Sequence, residues 1–328
     1  MKFRLILIAA PIFGFFSIFM IYTLIVVLDE FLIGMIYLNF ATAFFSGLIF
    51  IGIYDPKSHY SEFVGKLVNI ERVKIILDDG IISIGNFYRS SSQIISTPEG
   101  KRYPDKRPVI VFFHGFQSSK EESEKFLIPL AHLGFLCFNF DQRGHGEAGG
   151  KKSDFFQLMN DVNPVLNKVC SASDVKEGSI CCIGSSMGSM PVLTKCYEDV
   201  RVVMVIGISA LHSVESLISV KYRPLSIGWF FKRSFKKSID KEKELKAAPY
   251  YYLKQDREYN TNRVFFIHAR NDLILPVAIT FELNKKHTRI PEDQALLLDR
   301  GSHGLEEQEI IILATFVKWL NKNKKMRL

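Results

Sequence analysis

From residue 107 onward, short apolar runs alternate with longer stretches of mixed polarity. Val109–Phe113, Phe135–Phe140, Ile180–Ile183, Val202–Ile206, Val264–His268 and Ala295–Leu298 are almost free of charge. Runs this short and this apolar predict strands buried on both faces, and the stretches between them are long enough for helices. The alternation predicts an α/β fold with a mostly parallel sheet covered by helices on both faces. Glu306–Leu320 has the period of a closing helix. Ahead of this region, Val73–Leu77 and Ile81–Tyr88 flank Asp78-Asp79-Gly80. That pattern predicts a β-hairpin, which would add an antiparallel edge. Ser90–Lys106 reads as a loop.

The front of the chain has a different texture. Leu5–Leu28 and Phe31–Tyr54 contain no charged residue, and only Asp29 and Glu30 separate them. Each run would span about 36 Å as a helix, enough for a hydrocarbon core of roughly 30 Å. Two transmembrane helices joined as a tight hairpin are expected over residues 5–54, followed by a polar linker over 55–71. A cleaved signal followed by one anchor is the rival arrangement, but both runs exceed the usual h-region and no A-x-A site precedes Asp29. Lys2 and Arg4 precede the hairpin, Lys57, Lys66, Arg72 and Lys74 follow it, and the turn between the helices is acidic. The positive-inside rule then puts both ends, and the domain over 72–328, on the cytoplasmic side. Five cysteines, with Cys181 and Cys182 adjacent, and the lack of an Asn-x-Ser/Thr sequon fit a reducing compartment.

The candidate chemistry lies at the ends of the apolar runs. Ser179–Ile183 leads into Gly184-Ser185-Ser186-Met187-Gly188 and then into a helix-compatible segment. A Gly-x-Ser-x-Gly between strand and helix is the context of a nucleophile elbow, with the hydroxyl of Ser186 pushed outward. Val264–His268 runs into Asp272, and Ala295–Leu298 runs into Gly301-Ser302-His303. Ligands of open α/β sheets bind at such carboxyl ends. Taken singly, Asp272 could be a turn aspartate and His303 a surface histidine; as a set with Ser186 they form a nucleophile, a base and an acid in workable order. Acyl transfer also needs N–H donors for the developing oxyanion. Met187 follows the nucleophile, and Phe116 follows His114-Gly115 at the end of Val109–Phe113, so their amides are the candidate oxyanion hole.

With these residues in view, the span from about 72 to 320 resembles the α/β-hydrolase superfamily, nearest its monoacylglycerol-lipase and serine-aminopeptidase branch. The matching positions are His114-Gly-Phe, Asp141-Gln-Arg-Gly-His-Gly146, Gly184-Ser-Ser-Met-Gly188, Asp272 with Pro276, and Gly301-Ser-His303. The resemblance implies a Ser186–His303–Asp272 triad, an oxyanion hole from Phe116 and Met187, and a structural role for Asp141–Gly146. It also implies a helical cap at about 211–260. Family members often carry His or Gln before the serine; this chain has Ser185.

The cap region mixes Tyr222, Trp229, Phe230, Phe231 and Phe235 with Lys221, Arg223, Lys232, Arg233, Lys236 and Lys237. Either a membrane-interface segment or a cap helix with one aromatic and one basic face has this composition. Lys322, Lys324, Lys325 and Arg327 could likewise attract anionic lipid or form a solvated tail. The formal charge of +8 is scattered and comes with no nucleic-acid motif, so no nucleic-acid partner is expected. Gly149-Gly150-Lys151-Lys152 does not complete a P-loop, and no zinc motif is visible, so no cofactor is called for. The expected activity is a membrane-anchored serine hydrolase acting on an acyl ester of a lipid or other amphiphile. An acyl-protein thioesterase or a serine peptidase would use the same residues, and a non-catalytic lipid- or partner-binding protein is the alternative from another class. The sequence sets no oligomeric state.

Overall fold

The fold is that of a computed structural model, which describes residues 16–17, 67–93, 95–97, 100–102, 106–152, 154–213 and 245–328. An eight-stranded sheet has the order β1-β2-β6-β5-β7-β8-β9-β10. Its strands are β1 Val68–Ile76, β2 Ile82–Ser90, β5 Arg107–Phe113, β6 Leu136–Phe140, β7 Val175–Ser185, β8 Val202–Ile208, β9 Val264–Ala269 and β10 Ala295–Leu298. β1 and β2 form the predicted hairpin, and β2 runs antiparallel to β6; every pairing from β6 to β10 is parallel. This is the α/β-hydrolase arrangement.

Alternation along each strand sorts the core into two layers. Ile110, Phe112, Cys181, Ile183, Phe265 and Ile267 face one side, against helices α1 (Glu124–His132) and α5 (Glu309–Lys322). Val109, Val111, Phe113, Cys182, Val205 and Phe266 face the other. There they meet α2 (Val162–Cys170), α3 (Ser189–Pro191, continued as a π turn over Val192–Cys196) and α4 (Phe281–Thr288). All seven residues of β5 are buried. Each large side chain so placed contributes about 1.5–3 kcal/mol of transfer free energy. Trp319 of α5 lies 4.7 Å from the Phe265 ring, and its indole N–H reaches the Asp293 carbonyl at 2.8 Å. The five cysteines are free, and the four buried ones act as small apolar side chains.

Two expectations need correction. β1 starts at Val68, inside the stretch expected to be linker, because an edge strand carries charge where a central one does not: Glu71 and Arg72 are exposed. Within the expected loop, Ile95–Thr97 (β3) and Gly100–Arg102 (β4) pair as a two-stranded hairpin. Three-residue strands are too short for a period-two pattern to stand out. The expected transmembrane hairpin, apart from Phe16 and Ser17, and most of the expected linker and cap lie outside the described residues. Among the described residues no helix is long and apolar enough to cross a membrane.

Register positions the candidate site. Phe113 pairs with Gly184, Ser185 with Ile208, Ile208 with Ile267, and Ala269 with Leu298. The carboxyl ends of five parallel strands are therefore level, and the loops that follow them share one rim of the sheet.

Candidate functional site

The turn at the end of β7 is set by steric limits. Ser186 has φ 48°, in the left-handed region, at a cost of about 1–2 kcal/mol for a residue with a Cβ. The flanking glycines permit it. A Cβ on Gly184 would lie 2.3 Å from the Gly188 carbonyl oxygen, and one on Gly188 would lie 2.1 Å from the Phe113 carbonyl oxygen. No side chain fits at either place, so β5 and the turn pack backbone against backbone. The Ser189 hydroxyl donates to the Ser186 carbonyl at 2.6 Å and accepts from Leu211 N–H at 3.2 Å, tying the turn to the end of β8.

The other two side chains arrive on loops. Asp272 lies three residues beyond β9, and His303 lies on the loop after β10, where Gly301 and Ser302 both have positive φ. The Ser302 N–H donates to Asn271 Oδ1 at 3.0 Å, and Ser209 Oγ donates to the His303 carbonyl at 3.1 Å, so the loops brace each other. His303 Nδ1 is 2.8 Å from Asp272 Oδ2, and His303 Nε2 is 2.8 Å from Ser186 Oγ. An ionised carboxylate only accepts, so Nδ1 carries the proton and Nε2 is the base facing the hydroxyl. The Asp272 side chain is fully buried, and its other oxygen, Oδ1, accepts from the N–H groups of Ile274 (2.9 Å) and Leu275 (2.8 Å). Burial pushes its pKa up, but the His303 and Leu275 hydrogen bonds and the nearby imidazoles outweigh that, and the net shift is downward.

Across from this arm, the end of β5 presents His114-Gly115-Phe116. The fully buried His114 donates from Nδ1 to its neighbour's carbonyl, Gly115 O, at 2.7 Å, and accepts the Gln142 N–H on Nε2 at 2.9 Å. Gln142 Nε2 donates back to the His114 carbonyl at 2.5 Å. Burial drives the imidazole's pKa down to about 4, so it is neutral. With the Gly115 carbonyl turned toward His114, the Phe116 N–H of the same trans peptide points the opposite way. A Cβ built on Gly115 would lie 3.6 Å from Ser186 Cβ, so this peptide borders the serine. Phe116 and Met187 both join an apolar cluster with Leu158, Met159, Met190, Leu211 and Leu275.

The structure thus brings Ser186, His303 and Asp272 into one hydrogen-bonded chain, with Phe116 and Met187 on the side bordered by β5. Asp141–Gly146 does other work. Asp141 accepts from Lys120 N (2.9 Å), Lys120 Nζ (2.8 Å) and Glu147 N (3.0 Å). Arg143 is buried between Asp161 and Asp79. None of these bonds reaches the serine chain, though Gln142 of the same turn clamps His114. Among the described residues no group of three His, Cys, Asp or Glu side chains is placed to hold a metal. Sequence reasoning missed the roles of His114, Gln142 and Ser209. The His-Gly pair was the one available signal, because an imidazole beside a glycine can reach that glycine's carbonyl.

Comparison with known proteins fits this picture. A family model described as "Serine aminopeptidase, S33" matches residues 104–281, just over half of the chain. Among solved structures, the Pyrococcus furiosus esterase Pf2001 is 16% identical with a TM-score of 0.60, over 82% of this chain and 95% of its own. Est1E from Butyrivibrio proteoclasticus, solved with ferulic acid bound, is 16% identical with a TM-score of 0.57, over 76% of this chain and 98% of its own. The acetyl xylan esterase from Paenibacillus sp. R4 is 18% identical with a TM-score of 0.56, over 77% and 84%. At such identities the shared property is the fold. No curated protein matches.

Proposed function

The chain belongs to the serine aminopeptidase family and is a serine hydrolase, and from that premise we propose that it cleaves a carboxylic ester of a lipid or another amphiphile through an acyl-enzyme on Ser186. The observation that carries this is the relay of 2.8 Å from Ser186 Oγ to His303 Nε2 and 2.8 Å from His303 Nδ1 to Asp272. Ser186 Oγ attacks the acyl carbonyl while His303 takes its proton. Asp272 holds the imidazole in the Nδ1–H tautomer and stabilises the imidazolium. The Phe116 and Met187 amides receive the oxyanion. His303 then returns the proton to the leaving alkoxide, and the C–O ester bond breaks. Water, deprotonated by His303, attacks the acyl-enzyme, releasing the acid and restoring Ser186.

The esterases among the structural neighbours support an ester substrate, and the apolar cluster around Phe116 and Met187 supports an apolar acyl group. A peptide substrate is the second reading, favoured by the name of the matching family. Against it, Lys221–Lys246 holds nine Lys/Arg and three Asp/Glu, a poor counter-charge for a substrate ammonium. The anchor is part of the proposal. Residues 5–54 form a membrane hairpin and the hydrolase domain faces the cytoplasm, as the charges flanking the two apolar runs support.

Three experiments test this. A fluorophosphonate should label the full-length chain and fail on folded Ser186→Ala; equal labelling of both proteins would defeat the catalytic assignment. Rates on a monoacylglycerol, an acyl thioester and an aminoacyl anilide should fall in that order, and a preference for the anilide would replace the ester with a peptide. In sealed right-side-out vesicles the domain should resist added protease; digestion there would reverse the topology.

A further inference from the structure

Behind Asp272 lies a second imidazole that the chemistry above does not use. His268, in β9, is buried, with its ring 5.9 Å from the Phe281 ring of α4. Its Nε2 is 2.7 Å from the Leu275 carbonyl oxygen. A carbonyl only accepts, so Nε2 carries the hydrogen and the neutral ring is the Nε2–H tautomer. The same nitrogen lies 3.4 Å from Asp272 Oδ2, the oxygen that receives His303 Nδ1–H. Among the described residues, the titratable groups that face His268 are Asp272 on its own loop and His303 on the loop after β10.

Leu275 links these contacts. Its N–H binds Asp272 Oδ1 at 2.8 Å, and its carbonyl accepts from His268 at 2.7 Å and from Thr280 Oγ1 at 3.3 Å. The acid loop has left the sheet by this point, so these bonds rather than a strand ladder hold it. A buried carboxylate needs its lone pairs met by donors. Asp272 meets two on Oδ1 and one on Oδ2, and the His268 ring nitrogen packs 3.4 Å from Oδ2.

We propose that His268 is a positioning residue for the acid of the triad: by holding the carbonyl of Leu275, whose own N–H binds Asp272 Oδ1, and by packing its ring nitrogen 3.4 Å from Asp272 Oδ2, it fixes the carboxylate plane that aims at His303. The proposal rests on the triad assigned above. Fixing that plane matters most when charge develops on His303, so it acts on kcat and leaves substrate binding alone.

The test uses the full-length enzyme and 4-nitrophenyl butyrate, with wild type, Ser186→Ala, His268→Gln and His268→Met compared. Met fills a similar volume without a donor, whereas Gln can still offer N–H to the Leu275 carbonyl. His268→Met should lose about 10- to 100-fold in kcat with KM within about twofold, well short of the roughly 10⁴-fold that follows loss of the correct tautomer in a Ser-His-Asp triad. His268→Gln should recover most of that loss. A folded His268→Met with wild-type kcat, a loss that falls on KM, or a Gln variant as impaired as Met would each overturn the proposal. If the Met variant does not fold, nitrogen-15 spectra of histidine-labelled wild type decide instead. His268 should be the Nε2–H tautomer with that proton slow to exchange, and an Nδ1–H tautomer would overturn the proposal. Turnover in wild type that Ser186→Ala does not reduce would instead sink the triad assignment itself, so the two failures are distinct.

Discussion

The turn that carries Ser186 and the loop that carries Asp272 are held by different physics. Around Ser186 the constraint is steric: two glycines admit backbone oxygens to places where a Cβ would lie 2.1–2.3 Å from one. Around Asp272 the constraint is polar, with backbone N–H groups and imidazoles surrounding a fully buried carboxylate. A sterically fixed turn fails when atoms are added. A polar loop loses its function when a donor or acceptor is exchanged for the wrong group, even if the shape is unchanged. Substitutions that keep volume and change hydrogen-bond character should therefore be severe at Asp272, and those that add one methyl should be severe at Gly188.

The largest effect is expected at the acid. Asp272→Asn keeps an oxygen for the Ile274 and Leu275 N–H groups, so the loop should stay folded. An amide NH₂ facing His303 Nδ1 then favours the tautomer with its hydrogen on Nε2, which cannot accept the serine proton. A fall of about 10⁴-fold in kcat is expected, with the urea midpoint changed little. Steady-state kinetics on an acyl ester, beside a urea melt, checks both halves. A fall below tenfold would mean that the carboxylate does not set the tautomer.

Gly188→Ala comes next and falls on folding instead. Its Cβ would meet the Phe113 and His114 carbonyl oxygens at 2.1 and 2.6 Å, both of them backbone and unable to turn aside. A loss of about 3–4 kcal/mol is expected, at the upper end of overpacking costs. Gly178→Ala is the contrasting control. No atom lies within 4 Å of its would-be Cβ, although its φ of 60° still strains an alanine. Its loss should stay near 1–2 kcal/mol. Chemical denaturation of the two variants orders them, and equal losses would refute the steric account.

The same contrast explains what the sequence disclosed. The turn was legible because its constraint spans Gly184 to Gly188, a spacing fixed by local geometry. The sheet was legible because β5, β8, β9 and the Ser179–Gly184 stretch of β7 are buried on both faces and so carry almost no charge. Ser186, Asp272 and His303 could be listed as strand-end residues, but their meeting at 2.8 Å depends on the level register of β7 to β10, which no local pattern encodes. The supports were illegible for the same reason. Gln142 and His114 are 28 residues apart, and Ser209 and His303 are 94 apart. Charge at an edge strand mimics a linker, so the sequence pattern predicts a shorter β1 than Val68–Ile76.

Acid should weaken both sides at once. His114 has its pKa pushed from 6.5 to about 4 by burial, and His268 is shifted in the same direction for the same first reason. The unfolded chain takes up these protons first. Stability is therefore full above pH 6.5 and is lost between 6.5 and about 4, by on the order of 3 kcal/mol for His114 alone. Asp272 adds a later loss: its folded pKa is below the ordinary 3.8, so its contribution is present above 3.8 and disappears as pH falls through the folded value. Urea midpoints at stepwise lower pH should show the first decline well before pH 4, and a midpoint that holds steady from 7 to 4.5 would contradict it.

The smallest effect tests whether the oxyanion side has a polar support of its own. Gln142→Leu removes the side-chain N–H given to the His114 carbonyl and leaves that buried oxygen unmet, while the main-chain N–H of residue 142 still binds His114 Nε2. One lost bond with an orphaned acceptor costs about 1–2 kcal/mol. Because His114 keeps its grip on Gly115, the Phe116 amide should stay aimed and kcat should fall less than about tenfold, the equivalent of about 1.4 kcal/mol. The oxyanion side would then resemble the nucleophile turn more than the acid loop, losing stability with little loss of rate. A large drop in kcat at unchanged stability would reverse that grouping, making the peptide at Phe116 as dependent on a distant donor as the carboxylate at Asp272.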